Sequence, residues 1–150
     1  MTRLALPLLL AGCSWNGQRL HNTDTIAIST AMPAAAAEAI VVAADAWGDA
    51  TNGAVALRVV ISDSRDVATV EPGELPGGRR GDTEVTESDP PRIWLDLSKL
   101  APEQVQGVAM HELGHAFGLY DHEEHTLMQA VGVDAPVVDA RTLARWRALQ

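Results

Sequence analysis

The order of local patterns between Thr23 and Asp63 constrains this chain more than any other feature. Residues 23–29 read TDTIAIS, an alternating β-branched run that predicts a short strand. An alanine-rich segment follows, in which Pro33 fits a first helical turn and Ile40, Ala43, Ala44 and Trp47 fall at helical spacing on one face. Asn52-Gly53 supplies a stop, and AVALRVVISD, residues 54–63, reads as the clearest strand. A helix between two strands is long enough to carry the chain back along a sheet. This order therefore predicts a parallel pair joined by a right-handed crossover.

The remainder extends that sheet. Residues 66–91 are rich in Gly, Pro and acidic side chains and predict loops with two short strands, VATVE (67–71) and TEVTE (83–87). RIWLDL, residues 92–97, predicts a strand with Ile93 and Leu95 on one face and Trp94 on the other. A second helix starts at Pro102, with Glu103 near its positive end, a stripe of Val105, Ala109, Leu113 and Ala116, and Gly118 as terminator. A closing helix over 139–150 has Asp139 as cap and Leu143, Trp146 and Leu149 at helical spacing. The fold class is α+β (α/β), a small twisted mixed sheet with two long helices, in one domain over residues 23–150. Its 150 residues suffice for a core without metal or disulfide staples, so a metal here would serve chemistry rather than folding.

Twenty acidic against 11 basic residues give a formal charge of -9, which argues against a phosphate-binding surface and hence against nucleic acid as a partner. The first residues, MTRLALPLLLAGCSWNG, place one arginine before an apolar run too short to span a bilayer, in the order of an export signal. Leu10-Ala11-Gly12-Cys13 is similar to the bacterial lipobox. That resemblance implies a signal peptide over residues 1–12, a linker over 13–22, and a mature chain anchored to the cell envelope through lipid on Cys13, or otherwise secreted. A single cysteine forms no internal disulfide. Arg80-Gly81-Asp82 is too short a match to assign a function.

Four of the five histidines fall within HELGHAFGLYDHEEHTLM, residues 111–128. On a helix, His111 and His115 lie one turn apart and project from the side turned away from the Val105–Ala116 stripe, so both rings can reach one metal. Glu112 lies about 100° round the helix, placed to act on a water beside that metal without being a ligand. Catalytic zinc usually takes three protein ligands. Gly118 can turn the chain back so that a later residue supplies the third. Register favours Asp121, whose carboxylate is an acceptable ligand. His122 is the rival after a one-residue shift, which would leave Asp121 as a supporting partner, and His125 is a third choice. His21 reads as a surface residue.

HELGHAFGLYD resembles the metzincin clan of zinc metallopeptidases, in which His-Glu-x-x-His-x-x-Gly-x-x-His precedes a buried methionine in a turn. His111, Glu112, His115 and Gly118 match position for position, Met128 stands at a spacing suited to that turn, and Asp121 replaces the third histidine as in snapalysin-like members of the clan. The tyrosine that some members place two residues after the methionine is Ala130 here, and Tyr120 does not match it. The resemblance implies a matrixin-like or snapalysin-like endopeptidase with one catalytic zinc on His111, His115 and Asp121, and Glu112 as general base. Its substrate would be an extended peptide or protein strand beside a sheet edge, expected within 67–87, and the chain would act as a monomer. The alternative is an envelope-anchored zinc- or peptide-binding module without turnover.

Overall fold

The computed structural model describes residues 18–129 and 137–150. The N-terminal signal and Cys13 lie outside the described residues. Strands β1 (Thr25–Ile28), β2 (Arg58–Ile61), β3 (Ala68–Pro72), β4 (Gly81–Glu84) and β5 (Arg92–Leu95) form one mixed sheet in the order β2-β1-β3-β5-β4. Helices α1 (Ala34–Ala50), α2 (Pro102–Ala116) and α3 (Ala140–Arg147) complete an α+β domain. Among the described residues no helix is long and apolar enough to cross a membrane.

The strand–helix–strand pattern closes as a parallel pair, with Ile26 opposite Val59 and Ile28 opposite Ile61. β3 pairs in parallel with the other side of β1, and β5 in parallel with β3. Alternation along these strands sends Ile26, Ile28, Val70, Ile93 and Leu95 into the core, where they join Ile40, Ala43, Ala44 and Trp47 of α1 and Val105, Ala109 and Leu113 of α2. Trp47 is fully buried, stacks obliquely on Phe117 at 5.0 Å, and donates its indole N–H to the Met110 carbonyl at 3.1 Å. That bond satisfies the one polar atom of a large apolar anchor and ties α1 to the turn of α2 just before His111.

α1 ends where expected: Asn52 and Gly53 take positive φ, 53° and 78°. α2 begins with Pro102 at its first position, and the Gln104 side chain accepts from the Ala101 N–H at 3.1 Å. Asp139 caps α3, accepting from the N–H groups of Arg141 and Thr142 at 2.9 and 3.0 Å.

One expectation is corrected. The strand expected at 83–87 runs instead over Gly81–Glu84, antiparallel to β5, with Glu84 opposite Arg92. Continuing that register would set Val85 and Thr86 opposite Pro91 and Pro90, which have no N–H to donate, so the ladder stops. The side of α2 that carries the histidines, opposite the Val105–Ala116 stripe, is covered as well: Met110, His111, Glu112 and Gly114 are buried, because β4 lies along that flank and Met128 packs against Gly114. β4 is an edge strand within the expected 67–87 region, whereas β3 of the same region is central.

Candidate metal centre

His111 and His115 occupy the last two turns of α2, with ring centroids 4.6 Å apart and planes nearly perpendicular. The helix ends at Ala116, and the chain turns away from it through Gly118, whose φ of 102° is open to glycine and strained for other residues. The chain then doubles back, Leu119 N–H donating to the Gly114 carbonyl at 3.0 Å, and delivers a third imidazole. His122 stacks on His111 at 5.2 Å and meets His115 edge-on at 5.0 Å. One ring nitrogen from each of the three lies within 4.8 Å of the others, close enough to hold a metal ion.

The hydrogen bonds on the far side of the rings decide which nitrogens are free. His111 Nδ1 lies 2.9 Å from the Leu127 carbonyl, and His115 Nδ1 lies 2.7 Å from the Leu119 carbonyl. A carbonyl can only accept, so both Nδ1 atoms carry the proton and both Nε2 atoms of the neutral rings offer a lone pair. Backbone carbonyls commonly fix metal-binding imidazoles in this way. Burial, reinforced by the neighbouring rings and opposed by the carbonyl bonds, lowers the pKa of both histidines, that of His115 to about 4. Both rings are therefore neutral at physiological pH. His115 Nε2 and His122 Nε2 stand 3.2 Å apart. A proton can bridge such a pair, and so can a cation: tetrahedral zinc with Zn–N near 2.0–2.1 Å sets its ligand nitrogens about 3.3 Å apart. Three imidazoles suit a metal ion that accepts nitrogen ligands, and the spacing of the His115–His122 pair lets both reach one ion.

The third imidazole of the group is not the residue that register favours as third ligand. Asp121 is exposed and does not belong to the converging group, and its backbone carbonyl accepts from the Arg145 guanidinium at 3.2 Å. The rival position, His122, is the one that arrives. His125 is exposed, with φ at 62°, and lies outside the group, as does the exposed His21.

Glu112, 4% exposed, sits under β4. Thr83 Oγ1 donates to its Oε2 at 2.6 Å, and Gly81 passes so close that a Cβ there would stand 2.5 Å from Oε1. Burial raises the Glu112 pKa to about 7, against the opposing Thr83 bond and with a smaller push from the Asp82 charge. A carboxyl group poised near neutrality can take up and release a proton at physiological pH. Gly81, Thr83, Glu112 and the three histidines line one open cleft of about 590 Å³, with Arg80 and Tyr120 also on its walls.

Beneath the histidines, Met128 is fully buried, and a Cβ on Gly114 would overlap its sulfur. Gly114, Thr83 and the carbonyls of Leu119 and Leu127 carry no signal in the sequence, and the Arg80-Gly81-Asp82 match gives Gly81 no part in this site. A backbone acceptor has no residue signature, and a threonine in a short predicted strand gives none for contact with a distant carboxylate. No family model matches the sequence, and no curated protein is significantly similar to it.

Proposed function

We propose that this protein is a zinc-dependent endopeptidase with a metzincin-like catalytic domain, exported and held at the cell envelope through Cys13. The observation that carries the reading is the convergence of three imidazoles and one buried carboxylate, that of Glu112, on a single cleft. A histidine cluster alone would serve metal storage or sensing equally well. A buried carboxylate that is not needed to hold the metal points to proton transfer.

His111, His115 and His122 would hold the ion. When bound there, zinc supplies Lewis acidity, lowering the pKa of a water and polarising a carbonyl. Glu112 takes the proton of the attacking water and passes it to the leaving amine. The Leu127 and Leu119 carbonyls keep His111 and His115 in the tautomer that leaves Nε2 free. β4 pairs with β5 on one side only, so its other edge offers backbone groups to an extended peptide laid across the cleft. Met128, packed against the helix turn that bears the histidines, supports the likeness to the clan's methionine turn.

The test is to measure zinc in the purified chain after dialysis and then to follow cleavage of a mixed peptide library by the wild type and Glu112→Ala. The expected result is one zinc per chain in both and cleavage by the wild type alone. Equal cleavage by both would refute the assignment of Glu112. Tight zinc without turnover in the wild type would favour the binding module.

A further inference from the structure

The Leu127 carbonyl that orients His111 belongs to a buried turn with Leu127 2% and Met128 0% exposed. Such a turn has to place its own backbone donors, since an unpaired N–H away from water is costly. Within it, Thr126 Oγ1 accepts from Met128 N–H at 3.1 Å and the Thr126 carbonyl from Gln129 N–H at 3.2 Å. Leu127 N–H points out of the turn and donates to Asp139 Oδ2 at 2.7 Å, across 12 positions of sequence. Asp139 Oδ2 also accepts from the hydroxyl of the fully buried Thr142 at 2.7 Å, while Oδ1 serves the first N–H groups of α3.

One carboxylate thus fastens the N-terminus of α3 to the same residue whose carbonyl fixes His111. Residue 127 is gripped on both sides, by Asp139 at its N–H and by His111 at its C=O. A capping residue needs only one oxygen for the helix. The second oxygen is committed to the turn and to Thr142.

We propose that Asp139 is a positioning residue of the metal centre, holding Leu127 so that its carbonyl fixes the tautomer and direction of the His111 ring. This rests on the metal-binding reading of the three histidines and is independent of whether peptides are cleaved. Asp139→Asn separates the two tasks. Asparagine caps a helix as well as aspartate, but its amide nitrogen in place of Oδ2 sets a donor against the Leu127 N–H.

The experiment titrates the full-length chain with Co²⁺, read by its visible absorption bands, and then measures Zn²⁺ affinity against a chelator. Wild type, Asp139→Asn and Leu143→Ala are compared, the last loosening the packing of α3 while leaving every contact of the Asp139 carboxylate in place. The wild type is expected to bind one equivalent. Asp139→Asn is expected to keep the helical circular dichroism of the wild type, to lose about tenfold or more in Zn²⁺ affinity and to shift the Co²⁺ spectrum, in line with other supporting contacts to metal-binding histidines. Leu143→Ala is expected to unfold at lower temperature with wild-type affinity and spectrum. Should Asp139→Asn not fold, Asp139→Ser, which keeps the cap but cannot reach Leu127, is expected to give the same loss. Unchanged affinity and spectrum in the Asp139 variant would overturn the proposal, as would an equal loss in Leu143→Ala. A wild type that binds no metal would fail the histidine-site reading itself, and the inference with it.

Discussion

The Thr83 hydroxyl lies 2.6 Å from Glu112 Oε2 and also contacts the Glu112 carbonyl oxygen at 3.2 Å, so an edge strand holds the carboxylate proposed as general base. Thr83→Val keeps the β-branched shape and removes the donor. Bonds to charged groups contribute ~1.5–3 kcal/mol, so kcat should fall about tenfold or more while zinc content is unchanged. Thr83→Ser should recover most of the loss. A wild-type kcat in Thr83→Val, measured on the same peptide, would show that this contact does not position the base.

The choice between adjacent residues as third ligand is open to direct measurement. His122→Ala should weaken zinc binding by at least about a hundredfold, exceeding the ~10- to 100-fold typical of a lost supporting contact. Asp121→Asn should stay within a few-fold of wild type, because Asp121 engages Arg145 through its backbone. Chelator competition on the two variants reads both. The reverse ranking would restore the aspartate.

Gly114 and Met128 should be energetically coupled. A methyl group at 114 overlaps the buried Met128 sulfur and approaches the Trp47 ring at 3.4 Å. Gly114→Ala should destabilise the fold by about 1–3 kcal/mol through overpacking. In a Met128→Ala background the same change should cost much less, since the sulfur it meets is gone. Denaturant unfolding of the two single variants and the double variant gives the coupling, and simple additivity would mean that the site relaxes without strain.

Acid should weaken the fold through Asp96. The Leu75 N–H, then Lys99 and Ser98, hold this carboxyl below the ordinary aspartate range. A depressed folded pKa means that the unfolded chain binds the proton more readily. The stabilisation is therefore complete above the unfolded pKa, about 3.9, and is lost as pH falls through the lower folded value. Melting temperature should drop from pH 5 to pH 2, and Asp96→Asn should be less stable at pH 7 with a flatter acid slope. Parallel curves for the two proteins would remove Asp96 as a source.

Much of this architecture was legible because it follows short-range rules. The spacing of Ile40, Ala43, Ala44 and Trp47 and the alternation of Ile93, Trp94 and Leu95 each name a buried face, and the structure buries those faces. His111, Glu112 and His115 were legible because their separation is fixed by one helical turn. Beyond Gly118 no periodicity relates a residue to the helix, and a one-residue difference in the returning chain brings His122 rather than Asp121 beside the other two rings. Strand order was also hidden. It depends on which strands share long-range packing, and so β4, and with it the contact of Thr83 to Glu112, could not be placed.

β2 and β4, the outer strands of the sheet, also bear on how copies of this molecule meet one another. An open strand edge is a template for pairing with any other chain. Both edges are only four residues long, with Arg58 on one and Asp82 and Glu84 on the other. Those charges set like against like when two β4 edges approach, which keeps the edge available to a third party at neutral pH. Near the isoelectric point, about 4.8, net repulsion between molecules vanishes, and the short length and local charges of the edge are the protection that is left against pairing with another copy.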